Sequence, residues 1–184
     1  NFGKATMDRT QLAGGFREAN FSLAHLCQSA MDGGSFEGAD FTFADLTEVT
    51  FDRANLEGTR FVDATLVEIQ MTMARVSGSD FTRADLERAC LTRSDLRNCS
   101  FTDATLVNAH LVDSDLHQVD FDGADLSGVC INNINASVPT IVELPVETEG
   151  LGTLLRASHS MEKNQDSENP PPEPHHPRDS NGTR

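Results

Sequence analysis

The chain repeats itself every five residues, and this period restricts its possible folds more than any other feature of the sequence. From Phe16 to Ile131, 24 consecutive positions spaced five apart are all large and apolar. They are Phe16, Phe21, Leu26, Met31, Phe36, Phe41, Leu46, Phe51, Leu56, Phe61, Leu66, Met71, Val76, Phe81, Leu86, Leu91, Leu96, Phe101, Leu106, Leu111, Leu116, Phe121, Leu126 and Ile131. Two residues before each stands a mostly small residue, such as Ala24 or Ala44. The repeat predicts units in which the small and the large residue point inward and the others point outward.

Neither a long helix nor a long strand accommodates this period. Five residues on an α-helix turn about 140° past a full rotation, and a strand alternates its faces every two residues. Four short strand-and-turn units, however, would close one coil of 20 residues. The sequence sorts by that number, because every twentieth residue from Phe21 to Phe121 is Phe and every twentieth from Leu26 to Leu126 is Leu. We therefore expect identical side chains stacked inside a solenoid, with neighbouring coils about 4.8 Å apart.

Several units carry an Ala-Asp-Phe or Ala-Asp-Leu motif, as at residues 39–41, 44–46, 84–86 and 124–126. These units resemble the A(D/N)LXX motif of the pentapeptide-repeat proteins, and the resemblance covers about residues 1–136. It implies an all-β solenoid, namely a right-handed quadrilateral β-helix with about 20 residues per coil. The handedness comes from the resemblance alone.

The pattern also sets the expected boundaries. Phe2, Met7 and Leu12 are spaced by five, but Phe16 follows after four, so we expect a slip near residues 13–15, where Gly14 and Gly15 can absorb it. Residues 1–136 should form the β-helix and residues 137–157 a short C-terminal cap. Residues 158–184 are polar and rich in proline, which predicts a disordered tail.

Charge excludes several kinds of partner. The chain has 14 basic and 29 acidic residues, a formal net charge of −15, which argues against direct binding to nucleic acid or to an anionic membrane. No apolar run is long enough to span a membrane, and the N-terminus lacks signal-peptide features, so we expect a cytoplasmic protein. Because the first residue is Asn1, we also expect further sequence upstream.

The sequence shows no catalytic or cofactor site. Side chains fill the expected interior, which leaves little room for a deep pocket, so we expect neither an enzyme nor a cofactor. Cys90, His110 and Cys130 share one outward column, but the two cysteines lie two coils apart. That distance, about 9.6 Å, is too long for one zinc ion or for a disulfide. We therefore expect no metal and four unpaired thiols, which suits a reducing compartment.

Two surface features are candidates for binding a partner. Leu23, Phe43 and Val62 should point outward in successive coils and form a small apolar patch. From Asn98 to Leu155 there are nine acidic residues and no Lys or Arg. The candidate acidic surface consists of Asp113, Asp115, Asp120, Asp122 and Asp125.

The leading hypothesis is a noncatalytic module that binds a protein partner or serves as a scaffold. Pentapeptide-repeat proteins also occur fused within larger proteins, including secretion-associated ones, which suggests the C-terminal part of a larger bacterial protein. The alternative is a DNA mimic, since some proteins with similar repeats protect DNA gyrase by imitating duplex DNA. Against the mimic, residues 1–136 carry a net charge of only −11, and arginines interrupt the middle of the rod. These arginines are Arg75, Arg83, Arg88, Arg93 and Arg97.

Overall fold

The computed structural model describes residues 1–136. Within this range the chain forms no helix and no strand longer than a single bridge residue. It is instead held by isolated parallel bridges between residues 20 apart, such as Asn20 with Asp40 and Asp40 with Arg60. Four such bridges recur in every 20 residues, which confirms the expected coil length and divides each coil into four sides. We number these sides 1 to 4 by their central residues, beginning at Phe21, Leu26, Met31 and Phe36.

Each five-residue unit has the same hydrogen bonds. On side 1, the N–H of Phe21 donates to the carbonyl oxygen of Asp40 in the next coil at 2.7 Å. The N–H of Ala24 donates to the oxygen of Phe21 at 3.0 Å and closes the turn between sides 1 and 2. The N–H of Leu23 reaches the oxygen of Thr42 at 2.9 Å. One bond closes each turn and the others join neighbouring coils, so the backbone pairs although no regular strand forms.

In every turn, the residue two positions after the large inward residue has its backbone in the left-handed region, as Leu23 does after Phe21. From Glu18 to Asn133 this corner residue recurs every five positions, with φ between 54° and 71°. Gly38, Gly58 and Gly78 lie at such corners. Glycine adopts this conformation freely, whereas most other residues are strained there. Side chains at the corners also point away from the interior, so the corners form the exposed edges of the rod.

The interior is a continuous apolar core. The six phenylalanines of side 1 stack with centroid distances of 4.7–5.3 Å and interplanar angles of 3–15°, as the sequence predicted. All are fully buried except Phe121 at the end of the described rod. A second stack, Phe16 on Phe36 at 5.2 Å, lies on side 4 and was not predicted. Phe51 packs edge-on against Phe36 and Phe41, where the five-residue pattern alone gave no indication of ring contacts.

The small inward residues do more than fill space. The hydroxyl of Ser79 donates to the oxygen of Leu56 at 2.7 Å and accepts the N–H of Thr59 at 3.1 Å. The hydroxyl of Thr59 donates to the oxygen of Phe36 at 2.9 Å, and the buried thiol of Cys99 lies in the same column. These hydroxyls bond backbone groups of the preceding coil, so they are satisfied in the interior and tie two coils together.

The first coil contains the expected slip. Thr6 bridges His25 and Gln11 bridges Ala30, both 19 residues away, whereas Gly15 bridges Ser35 at the regular distance of 20. Gly14 has φ of 133°, a conformation that favours glycine. One residue is thus missing from the first coil between residues 11 and 15, as the spacing predicted. The expected cap over residues 137–157 and tail over residues 158–184 lie outside the described residues.

Candidate docking surface

Many of the outward carboxylates have a structural role. Asp40 accepts the backbone N–H of Thr42 at 3.0 Å and its hydroxyl at 2.5 Å. The same pattern joins Asp45 to Thr47 and Asp80 to Thr82. In each case the aspartate is the residue that bridges to the next coil, and its carboxylate accepts the N–H of the threonine two positions later, where the turn begins. This is an Asx-type hydrogen bond. The Asp of the Ala-Asp-Leu motif is thereby explained by the turn, and its presence alone does not indicate a binding site.

These bonds also keep the carboxylates ionised. Burial would raise the pKa of Asp45, but hydrogen bonds from the hydroxyl and N–H of Thr47 and from Cys27 outweigh it and hold that pKa below its usual value. A hydrogen bond from the Arg97 guanidinium likewise holds the pKa of Asp95 below its usual value. Both side chains therefore carry a full negative charge near neutral pH.

The five arginines in the middle of the rod are all paired with carboxylates. Four of them bond a neighbouring coil: Arg75 with Glu57, Arg83 with Asp63 at 2.7 Å, Arg88 with Glu68 at 3.3 Å and Arg93 with Asp113 at 3.4 Å. Arg97 binds Asp95 in its own coil at 2.6 Å and lies 3.9 Å from Asp115. Residues 60–99 contain six basic and six acidic residues, so this part of the rod is electrically balanced.

The structure divides the predicted acidic surface in two. Asp113 and Asp115 lie at the side 3 corner and on side 4, next to Arg93 and Arg97. The other three predicted residues lie on sides 1 and 2, where three further carboxylates join them. We call this group the acidic edge: Asp80, Asp85, Asp103, Asp120, Asp122 and Asp125.

No member of the acidic edge forms an ion pair with a Lys or Arg within residues 1–136. Asp80, Asp85 and Asp103 lie outside the predicted acidic surface, which covers only carboxylates between residues 113 and 125. The repeat itself places Asp80 in the column of Asp120 and Asp85 in that of Asp125, where they are expected as charges spaced two coils apart, and the bridges have the same register.

The apolar patch is also smaller than predicted. Leu23 and Phe43 occupy adjacent corners between sides 1 and 2, with 45% and 57% of their surface exposed. We call this pair the apolar corner. Val62 lies beside it: its carbonyl oxygen accepts the N–H of Phe43 at 3.0 Å, but its side chain is half-buried one position before the corner. Asp63 takes the corresponding corner in that coil.

Among residues 1–136, a third exposed large apolar side chain is Met73, with 43% exposure. It lies at the corner between sides 3 and 4, two sides further around the coil, and sequence reasoning missed it. Its position two residues after Met71 marks it as a corner residue, by the same rule that places Phe43 after Phe41. Met73 has the backbone conformation and exposure of the apolar corner but is not next to it.

The pentapeptide-repeat family model matches residues 19–58, 59–98 and 99–135, in register with the observed coils. The chain belongs to the pentapeptide-repeat family. A comparison with proteins of curated function gave no match.

Solved structures also resemble this pentapeptide-repeat chain. HetL, a pentapeptide-repeat protein involved in heterocyst differentiation regulation from Nostoc sp. strain PCC 7120, is 19% identical with a TM-score of 0.41, over 78% of this chain and 93% of HetL. The pentapeptide-repeat protein alr5209 from Nostoc PCC 7120 is 26% identical with a TM-score of 0.45, over 59% and 81%. QnrB1, a plasmid-mediated fluoroquinolone resistance protein, is 16% identical with a TM-score of 0.38, over 86% and 96%.

The cysteines and histidines do not form a metal centre in the part of the chain that the structure describes. Bridges join Cys90 to His110 and His110 to Cys130, as the column predicted. Burial raises the pKa of the Cys99 thiol to about 12, and burial together with Asp45 raises that of Cys27 to about 11. Both thiols are therefore protonated and weakly nucleophilic near neutral pH. No helix within residues 1–136 is long and apolar enough to cross a membrane.

Proposed function

We propose that this chain is a noncatalytic interaction module, a right-handed quadrilateral β-helix that binds a protein partner at the apolar corner. The proposal includes the absence of catalysis. It is supported by the interior, where stacked apolar side chains fill the described coils from Phe21 to Leu116 and leave little room for a deep pocket. The outward carboxylates of the repeat are largely engaged in turns or ion pairs. Many charged corner residues also form ion pairs, such as Asp63 with Arg83, so the exposed apolar corners are the better candidates for contact with another molecule.

The observation that carries the proposal is the exposure of Phe43 at a left-handed corner. A bulky residue is strained at φ of 59°, and a ring that is 57% exposed gains little from folding. Apart from Leu23 and Met73, the other described corners hold Gly, Asp, Asn, Arg, Lys, Glu or Gln, which avoid the exposed apolar surface. Leu23 repeats both disadvantages in the adjacent coil. A partner that covers Leu23 and Phe43 would remove from water the apolar surface that folding leaves exposed, and this burial would stabilise the complex.

The test is the substitution Phe43→Glu, since Glu48 and Glu68 already occupy identical corners without disturbing the coil. Met73→Glu is the matched control, because Met73 has the same conformation and similar exposure on another edge. Each protein is immobilised in equal amount, incubated with extract of the native host, and the captured proteins are quantified by mass spectrometry. We expect Phe43→Glu to lose a partner that wild type and Met73→Glu retain, with unchanged circular-dichroism melts. Identical capture by all three proteins would refute docking at Phe43.

The DNA-mimic alternative ranks below this proposal. A mimic needs negative charge continuously along its length, about one charge per 1.7 Å of B-DNA. Residues 60–99 form two coils with no net charge, and their central arginines are held in ion pairs around the rod. The unpaired carboxylates of the acidic edge lie on two sides only. This distribution favours a one-sided protein contact over enclosure in a DNA-binding saddle.

A further inference from the structure

The apolar corner and the acidic edge lie on the same part of the rod. Leu23, Phe43 and Asp103 belong to one column of corners between sides 1 and 2. Asp120 and Asp125 are bridge residues on the two sides that meet at this column. A partner that covers Phe43 and extends toward the C-terminal coils first crosses the ion pair of Asp63 with Arg83 and then meets carboxylates that form no ion pair with a Lys or Arg within residues 1–136.

The other edge of the rod offers no such combination. Met73 is exposed at the corner between sides 3 and 4, and the corners of the next two coils hold Arg93 and Asp113, which pair at 3.4 Å, just as Asp63 and Arg83 pair after Phe43. Asp115, on side 4, lies 3.9 Å from Arg97. The two edges differ beyond these ion pairs: the carboxylates of the acidic edge in the C-terminal coils form no ion pair with a Lys or Arg within residues 1–136, whereas Asp113 and Asp115 lie next to Arg93 and Arg97.

We propose that the apolar corner and the acidic edge together bind one elongated basic polypeptide segment, with apolar side chains on Leu23 and Phe43 and Lys or Arg side chains facing the acidic edge. This inference rests on the proposed function and names the chemistry of the partner. Charge complementarity selects the partner and orients it along the rod. The apolar contact supplies the desolvated centre of the interface.

The coil spacing fixes the expected pattern of the segment. Phe43 and Asp103 lie three coils apart, and the acidic residues around Phe121 lie four coils from Phe43. With coils about 4.8 Å apart these distances are roughly 14 and 19 Å. An extended chain advances about 3.3 Å per residue, so about four to six residues should separate the apolar anchor from the first cation.

Phage display of random 16-residue peptides on the immobilised full chain tests this pattern. We expect enriched peptides with an apolar pair followed, about four to six residues later, by Lys or Arg. In fluorescence anisotropy, such a peptide should bind roughly tenfold more weakly to Phe43→Glu and to the triple variant Asp103→Asn, Asp120→Asn, Asp122→Asn. In the wild type the carboxylate of Asp120 accepts the backbone N–H of Asp122 at 3.0 Å. The amide oxygen introduced by Asp120→Asn can accept the same N–H, so the triple variant removes charge and preserves the turn.

The controls are Met73→Glu and the double variant Asp113→Asn, Asp115→Asn, which should bind within about twofold of wild type. Peptides that need Phe43 but carry no cations and tolerate the triple variant would overturn the basic partner and leave the proposed function standing. Peptides that bind every variant equally, or a selection that enriches none, would overturn both. A wild-type dimer in sedimentation that Phe43→Glu converts to a monomer would assign the corner to a second copy and refute the basic segment.

Discussion

Phe81 lies in the middle of the phenylalanine stack, and its replacement by Ala measures how strictly the coils are packed. The ring is fully buried, 4.8 Å from Phe61 and 4.7 Å from Phe101, with interplanar angles of 7° and 3°. Phe81→Ala removes the buried ring and both stacking contacts and leaves a cavity. We expect it to lower the free energy of unfolding by about 3–5 kcal/mol. The neighbouring coils cannot close the gap, because their backbone spacing is fixed by the inter-coil hydrogen bonds.

Phe121→Ala is the matched control. Phe121 is only partly buried and has one stacking partner within the described residues, Phe101 at 5.3 Å. Its loss should cost about half as much or less. Urea denaturation followed by circular dichroism gives both values, and an unchanged slope shows that the same unit unfolds. A loss below about 1 kcal/mol for Phe81→Ala, or an equal loss for both variants, would contradict a continuous stack that shares its packing between coils.

The other predictions concern the buried hydroxyls, the carboxylates and the acidic surface. Ser79→Ala should lower the free energy of unfolding by about 1 kcal/mol in the same urea assay, because it removes two hydrogen bonds between coils while the N–H of Thr59 keeps its bond to the oxygen of Leu56 at 3.1 Å; a neutral result would mean that other groups replace the hydroxyl. The folded-state pKa values of Asp45 and Asp95 are lowered, so their contribution is present above an unfolded value of about 3.9 and lost as pH falls through the folded values. The melting temperature should therefore drop below about pH 4, and less steeply in Asp45→Asn or Asp95→Asn; equal slopes in all three proteins would contradict this assignment. We also expect no inhibition of gyrase supercoiling at low micromolar protein, and inhibition that is lost on neutralising Asp120 and Asp125 would favour the DNA mimic.

The sequence by itself determined the coil and the contents of its interior. A period of five, sorted by 20 into a Phe column and a Leu column, requires Phe21 and Phe41 to stack on the same side. The slip before Phe16 was equally visible, since one missing residue displaces every later unit. Inward positions are predictable in a solenoid because each is defined by its place in the repeat and contacts the same place in the next coil.

Only the tertiary structure decided which surface groups act together. Asp113 and Asp120 looked equivalent in the sequence, yet one binds Arg93 and the other joins the unpaired acidic edge. Val62 was expected in the apolar patch, but the turn places Asp63 at the corner and leaves Val62 half-buried one position before it. The coil brings together residues about 20 apart, and the turn sets which of them point outward. Whether two outward charges pair then depends on side-chain directions around the corner, which the repeat does not specify.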